Sequence, residues 1–401
     1  MRRASIAAWL AFFGALASAQ QRLPAPRWVR SVEVVREGTN VRAGPSASAA
    51  RRGTVQVGTR LPFLGRVVGE GCPGGEWMQV GAEAFVCESL VRYSPSAPFG
   101  EPVPVVPEGR LTPREHAFVA TDGTWAYARP SDYFADRWVQ TLGRGFGVAI
   151  VERQRIGNVE LARTLDGLWL PSSELRYAQP SDFAGVELAE GEPLEGLAWV
   201  IREQAIVRSR ISGPVVDRLA FHQRARVLEI ARGHARIGDD RWIATRDLAQ
   251  AHPSAPPAEV GEGERWIDVD LANQTLVAYA GTRPVLATLV STGIDRSATP
   301  RGTFRIWVKL SEGTMDDLER EDVDQNYQIQ AVPWVQYFSG SVGLHAAFWH
   351  DRFGLRRSHG CINVAPRDAR WLFEFTQPAL PPGWDAILPT ASERATIVRV
   401  R

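Results

Sequence analysis

The chain has 401 residues, with 46 basic and 45 acidic side chains and a formal net charge of +1. This balance argues against a nucleic-acid binder that depends on bulk positive charge, and the length predicts several domains. Fourteen tryptophans, 36 glycines and 27 prolines favour a mainly β, turn-rich protein over a helical one.

The first 19 residues have the three parts of a secretory signal peptide. Residues 1–3 (MRR) are basic, residues 6–16 form an apolar run, and residues 17–19 (ASA) are small enough for a cleavage site. The run is too short to span a bilayer comfortably, although an uncleaved anchor is the alternative. We therefore expect secretion across the inner membrane to the periplasm or cell wall, with membrane contact only through the signal peptide.

Cysteine usage agrees with export. Cys72 and Cys87 lie fifteen residues apart, and in an oxidising compartment a disulfide closing that loop contributes roughly 3 kcal/mol. Two buried free thiols are the alternative. Cys361 is then left over, and an odd cysteine in a secreted protein is either an intermolecular bridge or a reactive thiol.

Residues 30–94 alternate short strands with Gly and Pro turns, which predicts a small β-barrel. Their opening, NVRAGP at 40–45, resembles the start of bacterial SH3-like domains, which often accompany cell-wall enzymes. Fainter likenesses predict two more SH3-like modules at 110–178 and 195–250. One mixed β-domain spanning 110–250 is the alternative.

Pro-rich breaks at 94–109 and 251–264 predict linkers. After the second break, alternating apolar residues and Gly turns predict a β-meander with strands at 266–271, 275–279, 284–291 and 303–310. Helical spacing with Pro at the first position predicts a helix over 366–376.

The chemistry is concentrated in one stretch, where His345 is followed by twelve residues and then by SHGCIN at 358–363. A free thiol is a poor nucleophile near neutral pH. A neighbouring imidazole can take its proton, and the resulting cation then holds the thiolate. Small residues around the sulfur let a carbonyl approach and leave backbone N–H groups to bind an oxyanion.

This stretch, preceded by Ser-Thr-Gly at 291–293 and Thr-Pro-x-Gly at 299–302, resembles the L,D-transpeptidases, YkuD-type enzymes that cross-link bacterial peptidoglycan. The resemblance implies a β-sandwich catalytic domain over 264–389 with a short helix after the cysteine. It implies Cys361 as nucleophile and His345 as general base. The backbone carbonyl of Ala346, where many relatives have Gly, is expected to orient His345.

Other motif positions receive supporting roles from the resemblance. His359 is expected to shape the pocket, and the N–H groups of Gly360 and Cys361 are candidates for the oxyanion hole. Ser358 and Asn363 are expected to hydrogen-bond the loop. Ile362, also in the motif, is expected in the core.

Substrate contacts are less defined. Arg352, Arg356 and Arg357 make the loop basic, and we expect Arg357 to meet carboxylates of a peptide stem, with ordinary surface charge as the alternative. Trp349 and Tyr337 are candidates for the walls of a substrate groove, although aromatic residues of β-domains lie mostly in the core.

Two nearby features have plainer interpretations. His350 matches no obligatory motif position, so a solvated loop histidine is expected. The acidic run at 311–325 is either a mobile flap near the cleft or a solvated loop.

The resemblance implies a two-step acyl transfer without metal or organic cofactor. The Cys361 thiolate attacks a tetrapeptide stem at its third residue, D-Ala leaves, and a second stem takes the acyl group in a 3→3 cross-link. Partners are peptidoglycan peptide stems and glycan, without nucleic acid, and carbapenems are expected to acylate Cys361.

Three rival interpretations remain. A zinc site from His345, His350, His359 and Cys361 has a spacing that fits neither common zinc motif. A carboxypeptidase or hydrolase would use the same residues on the same stems. A wall-binding protein with an inactive catalytic domain is disfavoured by the intact Cys, His and Gly set.

Overall fold

The computed structural model describes residues 22–24, 26–316 and 328–401, and it is mainly β, as predicted. The predicted signal peptide and residues 317–325 of the acidic run lie outside these described residues. Within the described ranges, no helix is both long and apolar enough to cross a membrane.

The first module (residues 30–94) consists of short strands in two groups. β2 pairs with β5 and β9, whereas β8 joins β7 to β3, with β6 and β4 at the outer positions. With the preceding β1, the strands are β1 (Arg22–Leu23), β2 (Ser31–Val34), β3 (Thr39–Arg42), β4 (Arg51–Val55), β5 (Arg60–Pro62), β6 (Gly65–Val68), β7 (Glu76–Gly81), β8 (Ala84–Cys87) and β9 (Val91–Ser94).

These two groups of strands face each other across a shared core that includes Val32, Val41 and Met78. No ladder closes them into a barrel within the described residues, so the structure does not bear out the barrel expected here. A disulfide joins Cys72 and Cys87, with Cα atoms 5.5 Å apart.

The second module (residues 110–178) has its own core, formed around β10, β13 and β16. Its elements are β10 (Glu115–Val119), β11 (Thr124–Ala126), α1 (Pro130–Phe134), β12 (Gln140–Leu142), β13 (Gly147–Ile156), β14 (Val159–Thr164), β15 (Trp169–Pro171) and β16 (Leu175–Tyr177). A short strand, β17 (Val186–Glu187), follows it.

The third module (residues 195–250) has a separate core around Val207, Ala235 and Ile243. Its strands are β18 (Leu197–Val200), β19 (Ala205–Arg208), β20 (Val215–Leu219), β21 (Arg224–Arg226), β22 (Glu229–Ala231), β23 (His234–Gly238), β24 (Arg241–Ala244) and β25 (Leu248–Gln250). No closed barrel is formed by the described strands of the second or third module either.

The C-terminal domain (residues 264–400) begins with the predicted meander. Its elements are β26 (Arg265–Asp270), β27 (Thr275–Ala280), β28 (Arg283–Ser291), β29 (Gly302–Arg305), β30 (Val308–Asp316), β31 (Gln328–Ser339), β32 (Val342–Ala346), β33 (Ile362–Val364), α2 (Pro366–Phe375), β34 (Trp384–Ile387) and β35 (Ile397–Val400). The strand expected over 303–310 is interrupted at 306–307, between β29 and β30.

Two sheets of this domain enclose one core. The first runs β29–β35–β26–β27–β28 and the second runs β33–β32–β31–β30–β34, with β28 also pairing to β33. Ile267 and Val269 of the first sheet pack with Leu344 and Ile362 of the second, and Leu372 of α2 joins them. The helix therefore covers this core, as expected, and Ile362 is completely buried.

The modules pack against the C-terminal domain rather than following it as separate beads. β4 of the first module extends the second sheet by pairing with β34, β13 of the second module pairs with β31, and β17 pairs with β28. The linkers at 95–109 and 251–264 contain no helix or strand.

We predict that Gly53 is required where the first module joins this sheet. A Cβ at Gly53 would lie 2.1 Å from the carbonyl oxygen of Ala386, a backbone atom that cannot turn away. Gly53→Val is expected to lower the free energy of unfolding by about 1–3 kcal/mol, measured by urea denaturation. Gly44→Ala is the control, since its nearest neighbour would be an ordinary 3.6 Å contact; equal stability of both variants would contradict the prediction.

Candidate active site

Two adjacent parallel strands bring the predicted catalytic residues together. β32 pairs with β33 so that Leu344 lies opposite Ile362 and His345 lies opposite Asn363. Leu344 and Ile362 point into the core. Because side chains alternate along a strand, His345 and Asn363 point to the other face, and Cys361, just before β33, shares that face with them.

His345 is held as a neutral base. Its Nδ1 lies 3.1 Å from the carbonyl oxygen of Ala346, and a carbonyl can only accept, so Nδ1 carries the proton and Nε2 has the free lone pair. Burial lowers the pKa of His345 to about 4, against a smaller opposing effect of the Ala346 carbonyl. The substitution of Ala for Gly at 346 therefore leaves the expected contact with its carbonyl in place.

Cys361 is half-buried, and its Sγ lies 3.6 Å from the carbonyl oxygen of Ser341. Burial raises the pKa of the Cys361 thiol, and the N–H of Gly343 opposes that effect in part. The thiol and His345 are thus both neutral near pH 7. The expectation of a thiolate held by an imidazolium does not describe this resting state, because burial disfavours both charges; the imidazole instead suits removal of the proton during attack.

Ser358 ties the turn before the cysteine. Its Oγ donates to the carbonyl oxygen of Cys361 and accepts the N–H of Gly360 at 3.1 Å. Gly360 has φ +125°, a conformation that favours glycine. Because its N–H is already engaged, Gly360 is not an available oxyanion donor in this structure, and the amide of Cys361 is the candidate that remains from the predicted pair.

The turn is anchored by residues to which the sequence analysis gave no role. Thr299 Oγ1 donates to the carbonyl oxygen of Gly360 at 2.7 Å and accepts the N–H of Gly293 at 2.9 Å. The carbonyl oxygen of Thr292 accepts the N–H groups of Arg357 and Ser358. Both threonines belong to the Ser-Thr-Gly and Thr-Pro-x-Gly motifs, so the signal was present, but only the fold shows what they hold.

His350 is not a solvated loop residue. Its Nδ1 accepts the N–H of Arg352 at 3.2 Å, and its Nε2 lies 3.0 Å from the side-chain amide of Asn363. A neutral ring that accepts at Nδ1 carries its proton on Nε2, so we assign the amide oxygen of Asn363 to this contact. Burial, followed by the charge of Arg357, lowers the pKa of His350 to about 4. Asn363 thus connects His345's strand partner position to the loop.

Two partly exposed aromatic residues flank the site. The ring of Trp349 lies over His345, with centroids 5.7 Å apart. Tyr337 pairs with Gly343 across β31 and β32; burial and, secondarily, Cys361 raise its pKa to about 12. Both are placed where a groove wall would be. Trp334 and Phe338, by contrast, are core residues.

Only one of the three loop arginines is without a carboxylate partner in the described parts of the chain. Arg352 pairs with Glu203 at 2.6 Å and Arg356 with Asp295 at 3.0 Å. Arg357 is exposed and has no such pair among described residues, and it acts electrostatically on His350. His359 is exposed beside Gly360.

A metal centre finds no support here. The described residues contain no cluster of three or more His, Cys, Asp or Glu side chains placed to hold a metal ion. The contacts of His345 and His350 with a carbonyl, an amide and a backbone N–H show how the described structure uses nitrogens that a zinc site would need.

Residues 264–394 match the family model of the L,D-transpeptidase catalytic domain, YkuD. The predicted L,D-transpeptidase catalytic domain is confirmed for this segment. The chain is 27% identical over 153 residues to YciB, a candidate L,D-transpeptidase of Bacillus subtilis (strain 168), a match covering 34% of this chain and 75% of that protein. It is 26% identical over 209 residues to L,D-transpeptidase 1 of Mycobacterium tuberculosis (strain H37Rv), covering 47% of this chain and 80% of that protein.

Solved structures give a similar picture of coverage. The NMR structure of the Enterococcus faecium L,D-transpeptidase catalytic domain is 26% identical, with a TM-score of 0.28, and the match covers 35% of this chain and 98% of that domain. A longer crystal structure of an Enterococcus faecium L,D-transpeptidase is 25% identical, with a TM-score of 0.28, and this chain spans 50% of its length. The matches therefore concern the C-terminal domain and leave most of the modules without a counterpart.

We predict that the thiol of Cys361 ionises only at high pH. Its raised pKa means that the rate of alkylation by iodoacetamide should climb through and beyond the ordinary thiol pKa, because only the thiolate reacts. The rate is measured by intact mass over a pH series; Cys361 is the only free cysteine, since the other two are bridged. A flat, fast rate between about pH 5 and pH 8, lost in His345→Ala, would reveal a preformed ion pair and contradict the prediction.

Proposed function

We propose that this protein is a peptidoglycan L,D-transpeptidase that forms 3→3 cross-links through a thioester on Cys361. The observation that carries the proposal is the common face shared by His345 and Cys361 in a segment that matches the L,D-transpeptidase catalytic domain. The lone pair on Nε2 of His345 provides the base that a neutral thiol requires.

The first step forms the acyl-enzyme. Cys361 Sγ attacks the carbonyl of the third, L-centred residue of a tetrapeptide stem while its proton passes to Nε2 of His345. The C–N bond to the terminal D-Ala then breaks, and the departing amine takes that proton. The Cys361 amide is placed to donate to the oxyanion of the tetrahedral intermediate.

The second step releases the enzyme. The side-chain amine of a second stem attacks the thioester, loses a proton to His345, and forms the new amide as the sulfur leaves and is reprotonated. Water in place of the amine would give a tripeptide, which is the carboxypeptidase or hydrolase alternative. Neither step draws on a metal or organic cofactor.

The remainder of the chain fits an envelope enzyme. We propose that residues 1–19 direct the protein to the periplasm or cell wall, and that the SH3-like modules at 30–94, 110–178 and 195–250 serve the same substrate, peptide stems and glycan. The disulfide between Cys72 and Cys87 supports an oxidising compartment.

Incubation of the full chain with a disaccharide-tetrapeptide, followed by mass spectrometry, tests the proposal. A cross-linked dimer is expected, and Cys361→Ala should abolish it because no thioester can form. His345→Ala should remove nearly all of it. A carbapenem should add its mass to the wild type and not to Cys361→Ala.

Other products would change the conclusion. Tripeptide without dimer would identify a carboxypeptidase, and an unchanged substrate with no carbapenem adduct would identify a wall-binding protein. Equal dimer formation by wild type and Cys361→Ala would contradict the thioester mechanism.

We predict that Arg357 binds a carboxylate of the peptide stem. A charge-assisted hydrogen bond contributes about 1.5–3 kcal/mol, so Arg357→Ala is expected to raise KM at least about tenfold with a smaller change in kcat. Arg356→Ala is the matched control, because Arg356 already pairs with Asp295. A KM that is equally unaffected in both variants would assign Arg357 to ordinary surface charge.

A further inference from the structure

The loop that connects the two catalytic residues is held from outside the C-terminal domain. This connecting loop (residues 347–360) joins β32 to β33. Its middle, residues 350–354, contacts the third module and residues 181–183, which lie before that module.

The most direct contact is made by His222 of the third module. Its Nε2 lies 3.2 Å from the carbonyl oxygen of Phe353, and since the carbonyl accepts, Nε2 donates. The other nitrogen lies 3.6 Å from a carboxylate oxygen of Asp351. The His222 ring is mostly buried, and it packs against Phe183 with centroids 4.4 Å apart.

Neighbouring contacts act on the same few loop residues. Ser181 donates a hydrogen bond to Asp351, and Glu203 pairs with Arg352. Gly354 has φ +92°, and a Cβ there would lie 2.5 Å from Cγ2 of Ile201, so the loop backbone passes directly against the third module.

This contact is part of a continuous core and not only a set of surface ion pairs. Trp199 and Ala249 of the third module share a buried cluster with Phe353 of the loop and Trp266 of the C-terminal domain. All four side chains are almost completely inaccessible to solvent. Buried contacts of this kind fix geometry more firmly than exposed ion pairs.

The clamped loop in turn reaches the catalytic residues. The ring of Phe353 lies 4.9 Å from that of His350, and His350 is hydrogen-bonded to the side chain of Asn363. Asn363 lies directly opposite His345 and two residues after Cys361. A short series of contacts thus runs from His222 to both members of the catalytic pair.

We propose that the third module is a positioning element of the active site and that His222 holds the connecting loop through the carbonyl of Phe353. The inference rests on the proposed acyl transfer and adds a role for a segment beyond the matched domain. His222 does not touch the reacting atoms. It fixes the loop that places Asn363 and His350, and small displacements of a reacting pair reduce rates strongly.

Substitutions of His222 in the full chain test the proposal. His222→Ala removes the donor to Phe353, whereas His222→Gln keeps an N–H near the same place. His234→Ala is the matched control, because His234 belongs to the same module but its ring bonds only to the nearby carbonyl of Arg232 among described contacts. The readouts are the saturating rate of Cys361 acylation by tetrapeptide, its KM, the rate of alkylation by iodoacetamide, and the melting temperature.

His222→Ala is expected to lower the saturating acylation rate at least about tenfold with little change in KM. His222→Gln should recover most of that rate, and His234→Ala should match the wild type. A melting temperature close to wild type in His222→Ala would separate positioning from a general loss of structure. Acylation by His222→Ala within twofold of wild type would overturn the proposal.

A second variant covers the case in which His222→Ala loses its cooperative thermal transition. Ile201 is only partly buried, so Ile201→Ala removes the packing against Gly354 while leaving the module core intact. The same fall in saturating rate is expected, and an unchanged rate would count against the proposal. If the wild type itself forms no acyl-enzyme, the proposed function fails, whereas an active wild type with indifferent variants fails only the positioning role.

Discussion

The parallel pairing of β32 and β33 is the constraint on which the site depends. Strands in parallel need a long crossover between them, and the residues separating His345 from Ser358 supply it. The pairing buries Leu344 and Ile362 on one face. The alternation of side chains then leaves the histidine and cysteine no choice but to share the other face. A shift of one residue in this register would exchange the two faces and bury the site.

Burial at this face has an electrostatic consequence. His345 is almost inaccessible and the sulfur of Cys361 is partly enclosed, so neither charge of an ion pair is well solvated. The pKa values move apart, down for the imidazole and up for the thiol. This arrangement favours proton transfer coupled to attack on a bound carbonyl. It also limits reaction with adventitious electrophiles, since little thiolate exists before substrate arrives.

The modules complete the architecture around the matched domain. The first extends a sheet of the C-terminal domain, and the second lies against the base of the β30–β31 hairpin, where Arg114 makes bidentate contact with Glu312. The third shares a buried cluster with the connecting loop. Because shared cores resist independent motion, the modules and the C-terminal domain are better understood as one packed body than as an enzyme on a flexible stalk.

The sequence by itself determined the parts whose signal is local. Alternation of apolar residues predicted the meander, Pro at a first turn predicted α2, and the spacing of His345 and the cysteine motif identified the catalytic pair and its family. Each of these depends on residues close together in the chain or on a motif of fixed order.

Only the tertiary structure decided the rest, because it depends on contacts between distant segments. His350 has the composition of a solvated loop residue, yet Asn363 and the backbone of Arg352 claim both of its nitrogens. The charge of Arg357 looked no different from that of Arg356 until the fold brought Asp295 to one of them. The amide of Gly360 was available until Ser358 folded back upon it. Pairing partners and burial are properties of the packed chain, and no local pattern records them.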